Sequence, residues 1–334
     1  MTTPGLPPLL PAAIPPMLAT LGGAPFDSPD FCFEVKWDGF RCLAFLEAST
    51  RLQSRRLIDL TGRYPELADL HRAVRGQPAV LDGEIIVLSG GRPDFETLLA
   101  RHQLASRARR RQAALAHPAT YVAFDLLYWK GQNIMGYPLY RRQELLSETL
   151  SEGDHLVLSR PVRESGTAYA QAVFARGLEG VMAKRVESPY LPGKRSRDWL
   201  KLKRPRGLSG AIVGYTERAD GGVGSVVVGL YDPEGRLHLA GRAGVSLPQA
   251  EANDLLEQLT SLPQAAPPPG SLPAGLARKI HWVEPRLVCR LEYLELTSAG
   301  HLRHAVFRGL VPREPRSCTT AQLGEAGRLE GRSE

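Results

Sequence analysis

Eight consecutive residues, Glu34-Val35-Lys36-Trp37-Asp38-Gly39-Phe40-Arg41, place an amine, two carboxylates and a guanidinium in one short stretch of chain. Upstream, Phe31, Phe33 and Val35 alternate with more polar positions, the period of a strand with one apolar face. Lys36 then lies on the opposite, polar face beside Glu34. Asp38-Gly39 has the composition of a tight turn, so Phe40 to Leu46 is predicted to return as the second strand of a hairpin. A lysine at such a lip, with an arginine just beyond, suits an amine nucleophile working beside a phosphate. The protonated ammonium is not nucleophilic, and it needs cationic neighbours, a metal or desolvation to release its proton near neutral pH. Taken alone, K-W-D-G is better read as an exposed hairpin with ordinary surface charges.

Other stretches raise the odds of chemistry. Val80 to Leu88 is an apolar strand interrupted by Asp82 and Glu84, two apart and therefore on one face. Carboxylates inside such a strand are costly unless paired, hydrogen-bonded or metal-bound, and Glu84 could accept a ribose hydroxyl or hold a metal's water shell. Gly83 between them permits close approach of a backbone or a ligand. Arg55 is either a phosphate or ribose contact or a solvated loop arginine. Phe124, in the apolar run Tyr121 to Tyr128, is either core or a base-stacking platform, and periodicity favours core. Glu179 begins the strand pattern that runs to Arg185. Trp199, Lys201 and Lys203 share one face of a strand, Leu200 and Leu202 the other. An anion between the two lysines would relieve their repulsion, while a basic edge strand that discourages aggregation is the plainer reading. Residues 94–117 are predicted helical and carry Arg101, Arg107, Arg109, Arg110 and Arg111, a solvated face or a contact with nucleic-acid phosphate.

The elements around these residues follow from composition and pattern. With 334 residues and 43% apolar content the chain is globular and long enough for two domains. Its formal net charge of +7 favours a polyanionic partner. Cys32, Cys42, Cys289 and Cys318 lack paired spacing and are read as reduced thiols of a cytoplasmic protein rather than a disulfide or zinc framework. No segment resembles a signal peptide or a membrane span. Residues 1–20, with six prolines, form an extended arm that packs through Leu9, Leu10, Ile14, Met17 and Leu18. Helices are expected over Pro65 to Val74, Arg141 to Leu150 and Thr167 to Arg176. Pro205-Arg206-Gly207 marks a boundary. Beyond it, five short strands (Ala211 to Tyr215, Ser225 to Tyr231, Leu237 to Gly241, His281 to Val283, Leu287 to Leu296), one helix (Pro248 to Leu259) and a Pro-rich loop over 263–273 suggest a small Greek-key barrel of the OB type. The predicted organisation is α+β: a catalytic domain over 1–205, an OB-fold domain over 206–319 and a flexible tail over 320–334.

In this order and spacing, Lys36-Trp37-Asp38-Gly39-Phe40-Arg41, Ser54-Arg55, Leu81-Asp82-Gly83-Glu84, Phe124-Asp125-Leu126-Leu127, Glu179-Gly180-Val181-Met182-Ala183-Lys184 and Trp199-Leu200-Lys201-Leu202-Lys203 resemble the motifs of covalent nucleotidyltransferases, most closely ATP-dependent DNA ligases. Pro16-Met17-Leu18-Ala19 and Pro315-Arg316-Ser317-Cys318-Thr319 are similar to features of small bacterial ligases of end joining and repair. The resemblance implies a nucleotidyltransferase domain of ATP-grasp-like antiparallel sheets with helices, followed by the OB-fold. It implies ATP and Mg2+ or Mn2+ as cofactors, nicked or broken duplex DNA and possible end-joining or repair proteins as partners, a monomer, and no membrane. Lys36 would carry AMP, pass it to a 5′-phosphate, and the 3′-hydroxyl would displace it. Arg41 and Arg55 would hold sugar, phosphates or the nick. Glu34 and Val35 would flank the bound nucleotide, Glu84 would bind ribose, Phe124 would stack on adenine, and Lys201 and Lys203 would hold the α-phosphate. Glu179, with Glu84, would place the metal.

One motif departs from the family. Its basic-x-Asp-basic element, which orients the pyrophosphate leaving group, aligns with Leu310-Val311-Pro312-Arg313, where only Arg313 survives. Self-adenylation is the step this puts in question. An RNA ligase or mRNA-capping guanylyltransferase shares the lysine chemistry and is the enzymatic alternative. A nick-binding protein with impaired self-adenylation is the non-enzymatic one.

Overall fold

The computed structural model describes residues 10–219, 221–268, 279–297 and 300–324. The chain divides into two compact units, Met1–Lys203 and Arg204–Glu334. Each contains twisted, mainly antiparallel sheet with a few helices, an α+β arrangement.

The first unit has two sheets. The smaller orders its strands Leu18–Leu21, Arg195–Lys203, Gly180–Arg185, Ser28–Lys36 and Val162–Glu164. Its two faces differ as the alternation requires. Phe33, Val181, Ala183 and Leu202 turn to a core shared with the helix Gly166–Ala175, and Val35 and Leu200 pack against it. Trp199 points the other way. The larger sheet orders Thr50–Ser54, Phe40–Leu46, Ala79–Ser89, Ala119–Trp129 and Gln132–Asn133. A core of Ala19 and Trp199 from the first sheet with Leu43, Phe45, Val80, Phe124 and Leu127 from the second lies between them. The amino-terminal arm joins in as expected: Leu10, Ile14 and Met17 are buried there, and Leu18–Leu21 pairs in parallel with Arg195–Lys203. Leu9 lies outside the described residues.

The expected hairpin at Lys36 is not formed. Ser28–Lys36 pairs with Gly180–Arg185 and Val162–Glu164, whereas Phe40–Leu46 pairs with Thr50–Ser54 and Ala79–Ser89. Trp37-Asp38-Gly39 is a crossover from one sheet to the other. Glycine is required there by packing, since a Cβ on Gly39 would come within 2.2 Å of the Ile85 carbonyl oxygen. The local turn signal was correct, but it carries no information about which strand pairs with which. Two helix boundaries also differ. Residues 94–117 form separate helices, Phe95–His102 and Arg107–Ala116, and Pro65 to Val74 contains two short 3₁₀ turns, Pro65–Leu67 and Leu70–Ala73.

In the second unit, Arg206–Glu217, Val223–Tyr231, Leu237–Gly244, Leu302–Val311 and Val288–Tyr293 pair successively, and the last pairs back with the first. The helix Gln249–Thr260 follows the third strand in the chain. Two details correct the sequence reading. Leu302–Val311 is a ten-residue strand of the ring that the sequence reading lacked, because Arg303, His304, Arg308 and Gly309 break its alternation. His281–Trp282 is only a two-residue pairing at Gly214 and Tyr215. At the end, Thr320–Leu323 is a short 3₁₀ turn, and the Gln322 side chain bonds both to the Ser209 amide and to its carbonyl, each at 3.0 Å. Residues 325–334 and the Pro-rich loop from 269 onward lie outside the described residues.

Candidate active site

Register builds the site. Across three strands of the smaller sheet, Lys36 stands opposite Gly180, and Gly180 opposite Lys203. Gly180 is obligatory, because a Cβ there would meet the Leu202 carbonyl oxygen at 2.5 Å. Glu179, the residue before Gly180, bridges the two lysines. Its carboxylate ion-pairs with Lys36 Nζ through Oε2 and stands 3.3 Å from Lys203 Nζ through Oε1. One carboxylate thus serves two ammonium groups at the end of the strand. All three side chains are partly exposed. Lys201 also lies on this row of the strand, opposite Met182, and is half-buried.

Glu34 is buried deeper on the same face. Lys184 Nζ contacts both of its oxygens at 3.0 Å, Gln143 Nε2 donates at 2.8 Å and Ser159 Oγ at 3.0 Å. Lys184 Nζ also lies 4.3 Å from the Phe124 ring centre. Val35 turns its side chain to the opposite face, so only its backbone is available toward Lys36.

The larger sheet supplies Arg41, Asp82 and Glu84. Arg41 is opposite Glu84 in register, yet its guanidinium forks onto Asp82, Nε to Oδ1 and Nη2 to Oδ2, each at 2.5 Å. Tyr190 donates to Asp82 Oδ2 at 2.6 Å, so the buried carboxylate that the sequence left unexplained is a positioning group for Arg41. Arg41 in turn stands 4.6 Å from the Phe124 ring centre. Phe124 owes its placement to a bulge. Asp82 pairs with Asp125 and Gly83 with Ala123, so Phe124 is the extra residue. It is buried and has two cations, Arg41 and Lys184, close to its ring, with Trp199 edge-on at 6.3 Å.

Burial pushes the Glu84 carboxyl up to about 8, reinforced by the charges of Asp82 and Glu179 and opposed by Arg41 and Lys36. Burial also raises Asp38, with Glu179 adding to it against Lys36 and Lys203. Asp38, Glu84 and Glu179 therefore share one electrostatic field with Lys36. Arg55 is exposed on the turn after Thr50–Ser54. Arg313 is exposed in the second unit, just past Leu302–Val311. Sequence reasoning missed Lys184, Gln143, Ser159 and Tyr190. Only Lys184 carried a signal, an ammonium in an otherwise apolar strand.

Among the described residues no group of three or more His, Cys, Asp or Glu side chains is placed to hold a metal ion. Magnesium seldom uses such an all-protein cage. It binds through one or two carboxylates together with substrate phosphates, and the hard oxygens of Glu179 and Glu84 fit that mode.

Over residues 16–203 the chain matches the family described as "ATP dependent DNA ligase domain", and over 219–313 the "ATP dependent DNA ligase C terminal region". It is 36% identical over 304 residues to the multifunctional non-homologous end joining DNA repair protein LigD of Mycobacterium tuberculosis, covering 89% of this chain and 38% of that protein. The chain thus spans well under half the length of that relative. DNA ligase C1 of Mycolicibacterium smegmatis is 34% identical over 332 residues, with 92% of this chain and 94% of that protein covered. The crystal structure of the ligase domain from M. tuberculosis LigD superposes with a TM-score of 0.53 at 32% identity, covering 92% of this chain and 98% of that one. A mycobacterial DNA ligase D complexed with ATP and MES gives 0.51 at 33% identity, covering 92% and 98%. These likenesses extend through both units and include the lysine-bearing crossover. The chain belongs to the ATP-dependent DNA ligases.

Proposed function

We propose that this chain seals nicks or ends in duplex DNA through an AMP carried on Lys36. The observation that supports this most directly is the row Lys36, Gly180, Lys203 with Glu179 bridging the two lysines. A primary amine at a strand end, beside a second ammonium and a shared carboxylate, suits in-line attack on a phosphate whose developing charge needs cations more than a strong base. In the first step Lys36 Nζ attacks the α-phosphate of ATP and pyrophosphate leaves. Lys203 and Lys201 stabilise the α-phosphate oxygens. In the second step the AMP passes to a 5′-phosphate, and in the third a 3′-hydroxyl displaces it.

The remaining roles follow from position. Phe124 offers its ring edge and the fringe of one face to adenine, held by Arg41 and Lys184. Glu84 meets the ribose; with its pKa near 8 it can donate as well as accept a hydrogen bond. Glu34 acts through Lys184 rather than by direct contact, since four hydrogen bonds already engage its carboxylate. Arg41 and Arg55 face sugar or phosphate. Bound at Glu179 and Glu84, a magnesium ion would neutralise phosphate charge and polarise the α-phosphate. Residues 1–205 form the catalytic domain in this reading and 206–319 an OB-fold, supported by the five-strand ring that closes on itself with a helix after its third strand. Arg313 orients the leaving pyrophosphate, so it serves the first step alone. Four buried free cysteines support a reducing, cytoplasmic setting, the chain acts as a monomer in this reading, and no helix among the described residues is long and apolar enough to cross a membrane. End-joining or repair proteins are the partners that the relatives suggest.

The test is sealing of a nicked duplex with ATP and magnesium, run beside a nick supplied already adenylated. Ligation of both supports the reading. Ligation of neither, with binding retained, makes the chain a nick-binding protein.

A further inference from the structure

The helix Arg107–Ala116 carries four arginines and no acidic residue, and it buries no side chain. Ten residues are too few to hold a helix in water by propensity. Arg107 with Arg110 and Arg111 puts like charges three and four apart, which weakens it further, and no side chain caps its start. The fold holds it with a clamp at each end. Arg110 Nε donates to the Leu104 carbonyl at 2.8 Å before the helix. After it, Arg101 Nη1 donates to the His117 carbonyl at 2.6 Å, while Glu66, paired with Arg101, accepts from the Ala119 amide at 2.7 Å. The Arg101–Glu66 pair is almost fully buried, a costly arrangement spent on presenting a helix that adds nothing to the core.

The helix also has a defined outward face. Arg110, Ala113 and Ala114 are half-buried and mark the side toward the protein. At 100° per residue, the opposite side carries Ala108, Gln112 and Leu115 in a stripe, and Leu115 is 89% exposed. Arg107 and Arg111 flank that stripe on one side and Arg109 on the other. All three are exposed, and among the described residues none has an acidic partner. Two cationic margins about a neutral strip complement a surface with two anionic margins about a neutral floor, which is a groove of duplex nucleic acid between its phosphate rows. The preceding helix, Phe95–His102, lies against the strand that leaves the catalytic crossover. His102, at the end of that helix, has its ring 4.7 Å from Phe40.

We infer that Arg107, Arg109 and Arg111 hold the phosphates on both sides of a groove in the duplex that flanks the joint. This rests on the DNA ligase reading. The test is the triple variant Arg107→Ala, Arg109→Ala, Arg111→Ala, with Arg110 kept because it clamps the helix. Binding to a nicked duplex is measured by fluorescence anisotropy from about 50 to 200 mM salt, and self-labelling by ATP, which needs no DNA, reports on folding. The inference expects normal self-labelling, Kd at low salt weakened at least about tenfold, and a salt slope reduced by roughly two to three, about 0.9 per lost phosphate contact. The control removes Arg72, Arg141 and Arg160, which pair with Asp69, Glu144 and Glu152, and should change the slope by less than about one. An unaltered Kd and slope in the helix variant, or an equal loss in the control, overturns the inference and leaves the ligase reading standing. A wild-type chain that neither labels with ATP nor binds nicked duplex overturns both.

Discussion

Two lysine–glutamate pairs lie on one face of one sheet, and their difference separates structure from chemistry. Lys184 and Glu34 have side chains each 2% exposed, and Gln143 and Ser159 complete the carboxylate's hydrogen bonds. Lys36 and Glu179 are 18% and 26% exposed, and Glu179 divides its charge between Lys36 and Lys203. The first pair is closed: every charge has its partner, and moving either group would leave the other stranded in the interior. The second sits partly exposed at the strand ends, where two ammonium groups share one carboxylate and remain open to an incoming phosphate. The same residue types give a scaffold in one case and a reactive site in the other, and burial decides which.

The contrast is tested first, and with the largest expected effect, by Lys184→Met. It leaves Glu34 buried and unpaired, and removing one member of such a pair costs about 3–5 kcal/mol. Urea unfolding should show the lost stability; a loss below about 1 kcal/mol would mean that the pair is open after all. Glu179→Gln is the counterpart. Stability should change by less than about 1 kcal/mol, as for partly exposed pairs, while the single-turnover rate of self-adenylation falls about 10²–10³-fold, the usual cost of one well-placed charge-stabilising group. An unchanged or faster rate would mean that Glu179 only restrains the Lys36 proton.

A smaller effect comes from Glu84, whose pKa near 8 lies above its ordinary 4.5. Below about 4.5 the group is neutral in both folded and unfolded chain. Between 4.5 and 8 the unfolded chain releases the proton that the folded one keeps, so stability from this group declines as pH rises through that window. Glu84→Gln should remove this decline, and its stability relative to wild type should grow between pH 5 and pH 8 in paired melts. A difference that does not vary with pH would mean that Glu84 is ionised throughout. The smallest effect is that of Arg313→Ala, a further slowing of self-adenylation with normal sealing of an already adenylated nick. Equal loss in both steps would remove its assignment to pyrophosphate.

What the sequence revealed follows the same divide. The alternation of Phe31, Phe33 and Val35 is a local property, so it placed Lys36 on the right face. The face shared by Trp199, Lys201 and Lys203 was legible for the same reason. Pairing is not local. Asp38-Gly39 reads as a hairpin turn in any context, and only Gly39 against the Ile85 carbonyl reveals a crossover between sheets. The bulge that places Phe124 depends on the partner strand's register, which one strand's pattern cannot encode. Leu302–Val311 was missed because charged and glycine positions hide its alternation. Gln143 and Ser159 were invisible, being ordinary surface types until Glu34 from a distant strand reaches them.

The central claim is that the open pair carries the reactive amine, and site mapping tests it most directly. The wild-type chain and Lys36→Ala are incubated with ATP labelled at the α-phosphate and magnesium, denatured, separated by electrophoresis, and digested for mass spectrometry. The account predicts one AMP adduct, on the peptide containing Lys36, and no label in a folded alanine variant. Label that persists in that variant, or an adduct mapped to Lys184, Lys201 or Lys203, would contradict it.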